Sequence, residues 1–337
     1  MVAPAIQAQQ IARDVQAQIG LIAAALSAHS FRGVNVRTGA GAEDWAAEVA
    51  QQVLELRDIS SRVAVLTYQL ARWLQTGYTL GDTGATTGTE LVELWISETL
   101  NAIGLPSANG VLGEEIRAAL RNSTPEALPA LADRVATFER ELAYARGEVG
   151  IDPWNWDFLD KNGSTKIADL LREHALRSAR EQLKRVTDLS PEDLDRITAG
   201  ADSRGAGLAD ALVMQGGRAI PVNTSLADTR VVYYARGTSS NPCHFCAMLA
   251  SRGPVYKAGT NITYSALAQE VRSYHDNCHC FPIFSFSDDT ELPVQNQFFE
   301  QNWGTVTEDY AGREKLNAWR RWLDANKRAN GGALKFQ

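Results

Sequence analysis

Cys243 and Cys246, in the spacing Cys-x-x-Cys, and His275, Cys278 and Cys280, in the spacing His-x-x-Cys-x-Cys, gather every cysteine of this 337-residue chain into 38 residues. Cys-x-x-Cys lets two thiolates converge from one tight turn, and the second cluster offers an imidazole and two thiolates from one short segment. Four such ligands close a tetrahedron around zinc and leave no position for water, which makes a staple rather than a catalyst. The ligand set read from spacing is Cys243, Cys246, His275 and one or both of Cys278 and Cys280, with Zn2+ as a structural cofactor. His244 points elsewhere in this reading. His279 lies between two cysteines of an extended run, so alternation turns it to the opposite face, as a surface residue or a neighbour of the ligands. The alternatives are two disulfides or four unrelated thiols.

Other chemistry is thinly represented. His174 and Ser178 are neighbours on a predicted helix, but the pair supplies no third catalytic member. Neither a Gly-x-Ser-x-Gly elbow nor a His-Glu-x-x-His helix occurs. His29 ends a predicted helix, where a histidine offsets the helix dipole. The net charge of −7 excludes a general nucleic-acid coat. The charge is uneven: residues 1–150 hold eleven arginines, no lysine and seventeen carboxylates, whereas from Tyr310 onward seven basic residues face two acidic ones. That basic tail suits a solvated helix face, or contact with phosphate or an acidic partner. The first 30 residues lack a secretory pattern, and no run of about 18 apolar residues occurs, so folding in a reducing cytoplasm and no membrane span are expected.

The elements that position the cysteines follow from periodicity. Ile6, Ile11, Val15, Ile19 and Ile22 recur at helical spacing, as do Val49, Val53, Leu56, Val63, Leu66, Leu70 and Leu74, predicting a helical hairpin over 1–80 with a turn at 29–41. Gly77 to Gly88 reads as a low-complexity linker. A helical middle domain over 89–220 follows, with helices at about 90–103 and 125–146, an aromatic docking turn at 152–158, a helix opening at Ser164, and another capped by Ser190 before Pro191. After Pro221 the pattern changes to strands at 229–236, 253–257 and 280–286 flanking both ligand clusters, with a short helix at 264–274 between them. A last helix over 312–327 sets Leu316, Trp319 and Leu323 on one side. The chain is therefore α+β: mostly helical, with a small antiparallel sheet and a Cys/His metal clip within residues 221–337.

Three segments carry a resemblance: Asn241-Pro-Cys-His-Phe-Cys-Ala-Met-Leu-Ala-Ser-Arg-Gly-Pro-Val-Tyr, then Tyr274-His-Asp-Asn-Cys-His-Cys, then Tyr310-Ala-Gly-Arg-Glu-Lys-Leu-Asn-Ala-Trp-Arg-Arg. Together, over about residues 229–325, they resemble the MuF-like minor head, or head morphogenesis, proteins of tailed bacteriophages, in a version found in phages of actinobacteria and often identified as a capsid maturation protease. His279 stands where many members carry arginine. The resemblance implies a low-copy structural protein of the phage head, assembled with portal, scaffold and major capsid proteins in the host cytoplasm and carried in the head interior. A capsid maturation protease and a zinc-stabilised module touching packaged DNA are the alternatives it leaves.

Overall fold

The computed structural model describes residues 4–80, 83, 85, 87–102, 163–186, 188–228, 230–254, 256–257, 278–288 and 291–336. The helices predicted over 125–146 and 264–274, the aromatic turn at 152–158 and His275 lie outside them. Among the described residues the helices are α1 (Pro4–Phe31), α2 (Ala42–Thr76), α3 (Gly88–Asn101), α4 (Gly163–Arg185), α5 (Pro191–Ala227), α6 (His244–Ala250), α7 (Val294–Thr307) and α8 (Arg313–Ala329). The strands are β1 (Tyr233–Gly237), β2 (Tyr256–Lys257) and β3 (Phe281–Ser285), in one antiparallel sheet of order β2-β1-β3. The fold is α+β and mostly helical.

The predicted hairpin is α1 and α2, and its apolar stripe finds its cover far along the chain. Val15, Ile19, Trp45, Val49 and Val53 share one core with Ile167, Leu171 and Leu176 of α4 and Ile197 and Val213 of α5. Close approach of these helices depends on small residues. A Cβ on Gly20 of α1 would collide with the Asp210 carboxylate of α5, and one on Gly217 of α5 with the Gln16 side chain.

Two sequence expectations give way to packing. The helical pattern does not end at Pro221, which lies inside α5. Buried Ala219, Ile220, Val222 and Thr224 on either side hold the helix through the hydrogen bond that proline cannot donate. Nor is the start of the Gly77–Gly88 stretch a free linker. Leu80 is fully buried, its N–H donates to Gln69 Oε1 at 2.5 Å, and Arg72 donates to Tyr78 O at 2.8 Å. Composition marked this segment as solvated, and one buried leucine with side-chain partners for its backbone decides otherwise.

The sheet is covered on both faces. Tyr234 and Phe284, paired across β1 and β3, pack on one side with Tyr68, Leu80, Val222 and Phe286. Tyr233, Ala235, Phe281 and Ile283 pack on the other with Ile6 and Leu292. The edge of β3 away from β1 is closed by side chains from the bundle. Gln9 of α1 accepts from Phe284 N and donates to Phe284 O, both at 2.9 Å, and Gln75 of α2 accepts from Phe286 N at 2.7 Å. These amides take the place of a neighbouring strand and remove an open edge.

Candidate metal centre

The Cys-x-x-Cys turn forms because Cys243 caps α6. Its backbone is extended, and its Sγ accepts the Cys246 N–H at 3.3 Å, so the first turn of the helix carries Cys246 inward beneath it. Cys278 and Cys280 lead directly into β3, two residues apart in extended chain, so their side chains leave on the same face. The three sulfurs of Cys246, Cys278 and Cys280 lie within 4.8 Å of one another, and Cys243 packs against them. Cys246 and Cys278 Sγ are 3.6 Å apart and none of the four cysteines is in a disulfide. A disulfide needs about 2.05 Å. Two thiolates on one tetrahedral zinc, each about 2.3 Å from the ion, stand about 3.8 Å apart, so the spacing fits a shared metal.

Crowding makes these thiols compete for protons. Cys278 is held below the ordinary thiol value by hydrogen bonds from the Cys246 and Cys280 thiols, and further by the Arg218 charge. Cys246 is pushed up, first by its hydrogen bond with Cys243, then by those with Cys278 and Cys280 and by burial. For Cys280 the bond with Cys246 pulls down, but Cys278 and burial outweigh it and push the thiol up to about 12. A divalent cation bound here would remove the conflict by taking the place of the shared protons. Cys246, Cys278 and Cys280 are at most 2% exposed, and Cys243 is half-buried.

Partners from three helices fix the ligand segments. Arg218 of α5, fully buried, donates through Nε to Cys280 O at 2.8 Å and through Nη2 to Cys278 O. His279 does face away from its neighbours, but onto protein rather than solvent: its Nε2 lies 3.2 Å from both oxygens of the buried Asp210 carboxylate, also on α5. His244 is exposed, as expected. On the other side, Trp319 Nε1 of α8 donates to His244 O at 3.0 Å and Lys327 Nζ to Pro242 O at 2.7 Å. Burial lowers the Lys327 ammonium, against the charges of Asp324 and Cys243, which raise it. Asn296 of α7 donates to Arg236 O and Ala250 O, joining β1 to the end of α6.

Sequence reasoning missed Asp210, Arg218 and Lys327. A charged residue amid the apolar positions of a long helix was the available signal for the first two, though it does not name the partner. His174 and Ser178 sit one turn apart on α4, and the Ser178 hydroxyl accepts from Gln182 Nε2 at 3.1 Å. Leu316, read as part of the apolar stripe of α8, is exposed; the buried residues there are Ala318, Trp319 and Leu323.

The helices thus brace three buried cysteines with Cys243 packed against them. The model of the VG15 protein family matches residues 112–303, more than half of the chain and all four cysteines. The chain belongs to the VG15 protein family and is a viral protein of the bacteriophage kind. No curated protein and no solved structure matches it. Among the described residues no helix is long and apolar enough to cross a membrane.

Proposed function

We propose that this protein is a minor capsid, head morphogenesis protein of a tailed bacteriophage, placed near the portal in the head interior, with a C-terminal module closed by a structural Zn2+. The observation that carries this is the buried sulfur cluster, with Cys243 packed against it, inside the region of the viral family match. A site without an open coordination position holds chain segments together and does not turn over substrate. The MuF-like spacing of the motifs adds portal, scaffold and major capsid proteins as the partners.

Mass spectrometry of procapsids and virions made with and without this gene tests the reading. The protein is expected in one or both particles at low copy, and the major capsid protein is expected to keep its normal mature N-terminus when the gene is deleted. Absence from both particles overturns the structural role. Loss of capsid protein trimming on deletion establishes the protease alternative.

One observation favours a second role within the same particle. Arg313, Arg320, Arg321 and Arg328 are all exposed on α8, outside the stripe of Trp319 and Leu323, along roughly 22 Å of helix at about 1.5 Å per residue. That is a surface for phosphate oxygens of packaged DNA. Binding that weakens steeply with salt, and less steeply for Arg320→Gln/Arg321→Gln, is the expected result; salt-independent retention in DNA-free particles overturns it.

A further inference from the structure

We propose that the metal site is a tetrathiolate of Cys243, Cys246, Cys278 and Cys280 without a histidine ligand, and that Arg218 and Lys327 are its charge-balancing, positioning residues. This rests on the metal reading above and assigns its ligand set and the residues that hold it.

The first argument is charge. A divalent ion with four thiolates leaves two negative charges, whereas three thiolates and a neutral imidazole leave one. Buried charge is costly unless it is met by an opposite charge with good hydrogen bonds. Two cations are built in, one at each ligand pair. Arg218 comes from α5 to the carbonyls of Cys278 and Cys280, and Lys327 from α8 to the carbonyl of Pro242, immediately before Cys243. Arginine and lysine here donate to carbonyls and keep their charges for the sulfurs.

The second argument is the state of the candidate ligands. Cys243 Sγ already accepts the backbone N–H of Cys246, so it is held beside the other three sulfurs. It is bonded to the Cys246 side of the sulfur group, and the ion draws it in as the fourth corner. Of the described imidazoles beside the cysteines, His279 is engaged by Asp210 and His244 faces solvent. Among the described residues, the donors gathered at the centre are the sulfurs of Cys246, Cys278 and Cys280, with Cys243 beside them.

Cobalt substitution of the full-length protein separates the possibilities, because the visible bands of tetrahedral Co2+ differ between four sulfurs and three sulfurs plus nitrogen. His275→Ala should keep one metal per chain with the wild-type spectrum, and Cys243→Ser should change the spectrum or lose the metal. A spectrum altered by His275→Ala and unaltered by Cys243→Ser overturns the ligand assignment. A wild-type chain that binds neither Zn2+ nor Co2+ would instead sink the metal reading itself. For the cations, Lys327→Met should weaken Zn2+ about 10–100-fold in chelator competition, with Lys327→Arg restoring it. Lys327→Met is the decisive variant, because buried Arg218 also supports the fold; unchanged affinity there overturns the charge-balancing role.

Discussion

At the scale of residues, the interior holds a fully buried ion pair. Arg72 and Asp228 are both fully buried and paired at 2.8 Å, and the Tyr68 hydroxyl donates to the same carboxylate at 3.0 Å. Removing one partner strands the other in a medium that cannot solvate it. Arg72→Met should therefore cost about 3–5 kcal/mol in urea unfolding, far more than the few tenths expected of an exposed arginine. The Tyr68 phenol is raised well above its ordinary value, first by burial and then by the Asp228 charge. Because the raised value belongs to the folded state, the contribution is complete below about pH 10 and is lost as pH rises further, where only the unfolded chain gives up the proton. Stability should fall on the alkaline side, and Tyr68→Phe should flatten that fall in pH-dependent melts while losing one hydrogen bond.

At the scale of elements, the helices are set by what can approach them. Gly20 and Gly200 are both helical glycines in long helices, and intrinsic propensity alone says that alanine stabilises each by up to about 1 kcal/mol. Their surroundings separate them. Nothing lies near a Cβ at Gly200, whereas one at Gly20 meets the Asp210 carboxylate that holds His279. Gly200→Ala should raise the melting temperature slightly, and Gly20→Ala should lower it by about 1–3 kcal/mol of stability through overpacking. Equal effects of the two substitutions would show that the α1 to α5 approach is looser than described. The start of α5 is read directly from sequence: Ser190 Oγ accepts from Asp193 N at 3.1 Å, ahead of Pro191 in the first turn. Ser190→Ala should cost about 1 kcal/mol.

At the scale of the whole molecule, the clip joins regions that are remote in sequence. Cys278 and Cys280 are tied to α5 through Arg218 and His279, Cys243 and its neighbours to α8 through Lys327 and Trp319, and β3 to α1 and α2 through Gln9 and Gln75. Removing the proposed metal should therefore do more than loosen a loop. Treatment with a strong chelator should lower the melting temperature, and amides of β3 and α6 should lose hydrogen-exchange protection before those of the core shared by α1, α2, α4 and α5. Uniform loss of protection across the bundle would argue that the clip and the bundle unfold as one unit.

Much of this was legible in the chain. Periodicity located α1, α2, α4 and α8, because a helix that buries one face must repeat every 3.6 residues whatever it packs against. Ser190 and Pro191 announced α5 because capping is local chemistry, and the cysteine spacing announced a cluster of thiols that could hold a metal because ligand geometry is short-range. The tertiary structure alone decided the rest. Leu80 became core because Gln69 and Arg72 reach its segment, α5 continued past Pro221 because its flanks are buried, and His279 met Asp210 across 69 residues. Which cations stand beside the sulfurs, and what covers the far edge of β3, are pairings between distant parts of one chain. A sequence states what each residue can offer, and only the fold sets two such offers side by side.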